Sequence, residues 1–260
     1  MPDKLSSTTL MEVGCGRDDP QPLRSSARNL HTNIANSLRT DQVRTVLTRL
    51  FTAAAHDEET PRCWKPGVLW ETATAQERAD ASESIYMPIS PQGGDLLYIL
   101  VRANRPNTVV EFGTSYGIST IYLAAAVADN ATGRVVSTEL NAAKVDAARA
   151  NLTEARLADS VTILPGDATT TLNDIRGPID FVLLDGWKDL CLPVLRSLEP
   201  RLTTGALIVA DDINLPPLSD YLDYVRHPAN GYVSIAFPVD DGMEISCWTA
   251  CKPSGEKSAL

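Results

Sequence analysis

The chain has 260 residues, 43% hydrophobic and 22% charged, and a formal net charge of −10. That length suits one domain with appendages, and the acidic balance argues against nucleic acid as a polyanionic partner, leaving a small molecule as the better expectation. No apolar run approaches the roughly 20 residues of a membrane helix, and the first residues lack the basic start and apolar core of a secretory signal, so a cytoplasmic protein is expected. The five cysteines show no C-x-x-C spacing and read as reduced thiols. Cys247 and Cys251 lie four apart without a neighbouring histidine, which is a poor zinc pattern.

Residues 1–30 mix Ser, Thr, Asp, Pro and Arg without periodicity and are expected to form a mobile tail, as are residues 253–260 at the other end. Residues 31–85 read as a helical N-terminal extension or cap. From Ile34 to Ala55 apolar residues recur at helical spacing, with Thr40-Asp41 able to cap a fresh helix midway. Leu69 to Ser82 reads as a second helix, and the prolines of Tyr86 to Pro91 then break the pattern.

From residue 86 to 252 the chain reads as the main domain, and from Gln92 helices and strands alternate, the signature of a parallel α/β sheet. A helix over Leu96 to Val101 precedes strand one, Thr108 to Phe112. A helix from Ile118 to Ala128 leads to strand two, Arg134 to Leu140. A helix from Ala142 to Arg156 leads to strand three, Val161 to Pro165. A short helix near Thr170 to Ile175 precedes strand four, Asp180 to Leu184. Asp189 to Leu198 is the next helix, Leu207 to Ala210 strand five and Leu218 to Val225 a further helix. Tyr232 to Phe237 and Met243 to Trp248 read as a terminal hairpin.

The stretch Val109 to Thr120, VVEFGTSYGIST, joins a buried strand to a helix start through a glycine-bearing turn. Such a junction exposes unpaired backbone N–H groups to a ligand. The spacing of Gly113 and Gly117 does not match the G-x-G-x-x-G of dinucleotide folds, which counts against an NAD-dependent oxidoreductase. Glu139, at the end of strand two, suits the two hydroxyls of an adenosine ribose. Glu111, or its neighbourhood, could accept hydrogen bonds from the ammonium of an amino-acid-bearing cofactor, which makes S-adenosylmethionine the candidate.

A second group of acids lies where strands four and five end: Asp185 in LLDGWKD, and Asp211 and Asp212 in ADD. In an open parallel sheet these converge on one rim, where hard carboxylate oxygens suit a divalent cation such as magnesium, manganese or calcium, with magnesium the expected one. Singly, such residues merely cap helices. Beside a metal, Lys188 would feel a field that lowers its pKa and fits it for general-base work. A regulatory protein that binds the cofactor without turnover would carry the same fold. His31, His56 and His227 read as surface residues, and Trp64 and Trp70 as packing residues of the extension that could also help it cover the substrate.

EFGTSYGIS, STEL, LLDGWKD and ADD together resemble the catechol O-methyltransferase-like family of class I S-adenosylmethionine-dependent methyltransferases. The resemblance runs from about Tyr86 to Trp248. It implies a Rossmann-like α/β fold with a mostly parallel seven-stranded sheet, helices on both faces and an antiparallel terminal hairpin. It implies cofactor contacts from Met87, Ile89, Gly113, Gly117, Ser119, Glu139, Asp167, Ala168 and Asp185. Asp185, Asp211 and Asp212 would be metal ligands, Lys188 the general base, and Trp187, Lys188 and Asp212 would meet a small acceptor bearing neighbouring oxygens. The sequence departs from the family pattern twice: Asp212 stands where Asn is common, and Gly186 where catechol methyltransferase carries a His beside the adenine. The preface helices and the terminal hairpin could supply a homodimer contact.

Overall fold

The computed structural model describes residues 36–66 and 68–249. The expected tails at 1–30 and 253–260, His31, Cys15, Cys251 and the proposed helix start at Ile34 lie outside the described residues. Among the described residues no helix is long and apolar enough to cross a membrane. The described cysteines Cys63, Cys191 and Cys247 are free thiols.

The first long helix, α1 (Asp41–Ala54), starts at Thr40, whose hydroxyl accepts the Val43 N–H as an N-cap. A single 3-10 turn (Ser37–Arg39) precedes it, so the helical spacing from residue 34 is interrupted at the Thr40-Asp41 cap. The second helix, α2 (Ala75–Ala81), is shorter than the span Leu69 to Ser82, because Thr74 and Glu77 form a reciprocal capping box that fixes its start. Helix α3 (Pro91–Asn104) begins earlier than Leu96. Ser90 caps it and Pro91 sits in its first turn, where a missing N–H costs nothing.

The sheet then assembles from β1 (Thr108–Phe112), β2 (Arg134–Glu139), β3 (Val161–Pro165), β4 (Ile179–Leu184), β5 (Leu202–Ala210), β6 (Tyr232–Phe237) and β7 (Met243–Trp248). Their spatial order is β3-β2-β1-β4-β5-β7-β6. The five strands β1 to β5 are mutually parallel, and β7 pairs antiparallel with both β5 and β6. The connecting helices are α4 (Ile118–Asn130), α5 (Ala142–Glu154), α6 (Ala168–Thr171), α7 (Cys191–Leu198) and α8 (Ser219–Arg226).

Two apolar cores flank this sheet. Alternation along β1 sends Val109 to the core shared with α1, α3, α4 and α5, and Val110 and Phe112 to the core shared with α7 and α8. Helix α1 belongs to the first core through Val43, Val46, Leu47 and Leu50. It is also tied to α5 by Arg49, whose guanidinium donates to Asn151 at 3.1 Å and pairs with Glu154. The strand order reverses between β1 and β4, which opens a crevice at their carboxyl ends.

Candidate active site

A cavity of about 580 Å³ occupies that crevice. Its floor is the β1–α4 turn. Gly113 has φ +102°, and a side-chain carbon there would lie 2.6 Å from the Asp185 carbonyl oxygen, so this strand end can approach β4 only as glycine. Gly117, at φ +88°, turns the chain into α4 without a side-chain cap. The first turn of α4 contributes Ile118 and Ser119 to the cavity wall. An uncapped helix start carries free N–H donors and a partial positive charge, which suits a carboxylate.

Glu111 is placed differently from the expectation that its carboxylate meets a ligand's ammonium. It is fully buried, does not line the cavity, and accepts hydroxyl hydrogen bonds from Ser119 and Thr120 at 2.6 Å each and from Ser137. The cause is register: residue 111 shares a strand face with Val109 and points beneath α4. Burial pushes its carboxyl up to about 7, against the pull of the three hydroxyls. Ser119 lines the wall while spending its hydroxyl proton on Glu111.

Glu139, at the end of β2, does face the cavity. Its two oxygens accept the backbone N–H groups of Ser115 at 2.7 Å and Asn141 at 2.9 Å, which fixes the carboxylate while leaving lone pairs open. Asp167 caps α6 by accepting the Thr169 N–H at 2.8 Å, and Asp167 and the buried Ala168 also line the wall. Gly186 packs against Phe112, where a side-chain carbon would fall 2.5 Å from the ring. Phe112 therefore fills the volume that a larger residue at 186 would need.

The segment Tyr86 to Ile89 forms another wall, with Met87 exposed in a left-handed conformation (φ 47°) and Ile89 buried. Several contacts hold this strained turn. Asp57 accepts the N–H groups of Tyr86 and Met87 at 2.9 and 2.7 Å, and Ser115 donates its hydroxyl to the Tyr86 carbonyl at 2.6 Å. The Tyr86 and Tyr116 rings stack at 3.9 Å. Lys144, on α5, is only 2% exposed, yet it reaches the wall and donates to the Ile85 carbonyl at 2.7 Å and to Ser115 Oγ at 3.2 Å. Burial lowers its pKa to about 8, although Glu139 and Asp57 pull it upward. Neither Asp57 nor Lys144 was apparent from motifs. The signal for Lys144 was its place in the buried row Lys144, Val145, Ala148 and Leu152 of α5.

Opposite, the ends of β4 and β5 bring Asp185, Asp211 and Asp212 together, with one ligand oxygen from each within 4.8 Å of the others. Asp212 takes φ +56°, a left-handed value that Asp and Asn adopt more readily than most residues. Lys188, just after β4, places its ammonium 2.9 Å from both Asp185 Oδ1 and Asp212 Oδ2. These two carboxylates raise its pKa despite the cost of burial, so in this arrangement it is held charged. Burial and the neighbouring acids push the Asp211 carboxyl up to about 8, and burial raises Asp185 as well. The raised carboxyls mean that the cluster offsets its mutual repulsion with protons as well as with the Lys188 ammonium, and an oxygen-only donor set fits a hard divalent cation.

The mouth is aromatic and cationic. The indole of Trp187 donates to the Ala75 carbonyl at 3.2 Å and meets Trp70 edge to face at 5.6 Å. Arg78 lies 5.1 Å over the Trp187 ring and makes a two-pronged pair with Asp189 at 3.1 and 2.9 Å. Trp70 thus lines the cavity and packs at the same time, whereas Trp64, its edge-to-face neighbour at 5.8 Å, stays outside it.

Residues 110–213 match a family model described as a methyltransferase domain. The chain is 34% identical over 142 residues to a catechol O-methyltransferase of Mycobacterium tuberculosis, an alignment covering 54% of this chain and 64% of that one. It is 29% identical over 174 residues to catechol O-methyltransferase B of Danio rerio, covering 62% and 65%. The chain thus spans a little under two thirds of the length of these relatives. A solved S-adenosylhomocysteine-bound methyltransferase of Podospora anserina, 16% identical, superposes with a TM-score of 0.62 over 91% of this chain and 100% of that one. The chain has the Rossmann-like class I methyltransferase fold, and the resemblance of its motifs to the catechol O-methyltransferase-like group is borne out.

Proposed function

We propose that this protein is an S-adenosylmethionine-dependent O-methyltransferase acting on a hydroxyl of a small acceptor with neighbouring oxygens, a catechol-like diphenol, with a divalent cation, magnesium first, at the acidic cluster. The observation that carries this reading is the meeting of Lys188 with Asp185, Asp211 and Asp212 on the rim facing the β1–α4 turn. The uncapped start of α4 would receive the carboxylate of the methionine portion, Glu139 the ribose hydroxyls, and Asp167 and Ala168 the base. When bound, S-adenosylmethionine supplies a sulfonium methyl group and the cation supplies positive charge that favours the ionised acceptor oxygen.

Lys188 Nζ would take the acceptor's hydroxyl proton. That role needs Asp185 and Asp212 engaged elsewhere, because paired with the ammonium they hold it protonated. Asp185 and Asp212 would be so engaged if they held the cation, and Lys188 would then be less strongly held protonated. Trp187 and Trp70 would bound the acceptor ring and exclude water, so that acceptor oxygen and methyl donor are held in one enclosed cavity.

Mass spectrometry of products from a vicinal diphenol panel, with magnesium and with a strong chelator, tests the reading. Methyl ethers that form with magnesium, fall at least about a hundredfold on chelation and fall comparably in Lys188→Met would support it, given that a positioned base contributes roughly that factor or more. Undiminished methylation under chelation and in Asp185→Ala would remove the metal from the reaction. Binding of S-adenosylmethionine without transfer to any diphenol would favour a non-catalytic role.

A further inference from the structure

The cations that line the cavity differ in their partners. Lys188 is paired with Asp185 and Asp212, and Arg78 with Asp189. Lys144 is held by the Ile85 carbonyl and Ser115. Arg62 also lines the cavity and is exposed, yet among the described residues it has no carboxylate within ion-pair distance. Its guanidinium lies 5.1 Å over the face of Trp70, the ring that meets Trp187 at 5.6 Å. One continuous wall therefore runs from the residue beside Lys188, across two indoles, to an unpaired guanidinium at the rim.

We infer that the acceptor is an anionic diphenol, whose ring lies along Trp187 and Trp70 and whose carboxylate, set off from the ring by a short chain, pairs with Arg62. The inference rests on the methyl-transfer reading above and deepens it by naming the acceptor's charge. In a chain with a net charge of −10, a guanidinium on the cavity wall with no carboxylate partner among the described residues offers a site for an anion. Stacking on Trp70 removes part of the entropy that a long side chain would lose on binding, and the planar fork matches a carboxylate through two parallel hydrogen bonds. A cationic acceptor would be repelled at the same point.

The test compares a vicinal dihydroxyphenylpropanoic acid, its primary amide and dihydroxyphenylethylamine. Acid-to-amide ratios of kcat/KM are read within each protein, so that a general loss of activity cancels. The wild type is expected to favour the acid at least tenfold, the ratio to fall about tenfold in Arg62→Gln, to survive largely in Arg62→Lys, and to turn towards the amine in Arg62→Glu. Equal use of acid and amide by the wild type, or an acid preference unchanged in Arg62→Gln, would overturn the inference and leave methyl transfer standing. If no diphenol is methylated, the transfer reading fails, and calorimetric binding of acid and amide in the presence of S-adenosylhomocysteine and magnesium decides the inference alone. Tighter binding of the acid, lost in Arg62→Gln and weakened by salt, supports it; equal binding of both overturns it.

Discussion

Glu111 is a carboxyl group in an apolar core with three hydroxyls turned towards it, and its proton is exchanged near neutrality. Its native pKa of about 7 exceeds the ordinary 4.5, so the folded state holds a proton that the unfolded chain releases. The stability it contributes is complete below pH 4.5 and is lost as pH rises through 7, and is on the order of 3 kcal/mol. Glu111→Gln should therefore lose this slope: in urea unfolding at pH 5 and pH 8, wild type should weaken relative to the variant at the higher pH. Parallel behaviour of the two proteins would show that the carboxyl does not titrate there. At this scale the acids and Lys188 after β4 and β5 were legible, because each follows an apolar strand whose end is fixed by pattern. Glu111 also stands near the end of a strand, a position that by itself points to the ligand. Alternation along β1, together with Ser119 and Thr120 in the first turn of α4, carried the other answer.

Among elements, the Tyr86 to Ile89 turn is held by groups remote in sequence. Its left-handed Met87 is sustained by the Asp57 carboxylate and the Lys144 ammonium, neither of which any local pattern joins to it. Asp57→Ala frees two backbone N–H groups and should weaken S-adenosylmethionine binding about tenfold, the scale of one charge-assisted hydrogen bond discounted for exposure. Asp57→Asn, which keeps one acceptor oxygen, should fall between. Titration calorimetry with S-adenosylhomocysteine checks this directly, and unchanged affinity in Asp57→Ala would mean that the turn is set by the Tyr86–Tyr116 stack instead. The same remoteness explains what element reading missed. Strand limits from hydrophobic runs were close except for β5, which begins at Leu202 and not at Leu207, whereas α2 lost its first residues to the Thr74–Glu77 capping box and α3 gained a turn from the Ser90-Pro91 start. Both signals are side-chain and backbone chemistry at a single position, which periodicity averages away.

For the whole molecule, the question is whether the helices before the sheet are an appendage or part of the fold. Val46 and Leu50 of α1 are 0% and 1% exposed, within the same core as Val109 of β1 and Ile121 of α4, and Arg49 bridges to α5. A helix that supplies core residues cannot leave without opening the face of the sheet, so α1 should unfold together with it. Leu50→Ala should cost about 2–5 kcal/mol, the usual range for a large-to-small change in a packed core. At this chain length that lowers Tm by several degrees at least. The decisive observation is the shape of the transition: a single calorimetric peak that shifts as a unit ties α1 to the sheet. A split into a weakened early step and an unshifted main step would make α1 a separate cap. Sequence periodicity located α1 and its cap at Thr40 but could not say what it packs on, because an amphipathic stripe names a buried face without naming its partner. That partner matters for the site. The chain leaving α1 carries Asp57, which holds the Met87 turn, and then Arg62, which lines the cavity. Loosening α1 should therefore lower cofactor affinity and acceptor charge selection together, in Leu50→Ala measured well below its own Tm.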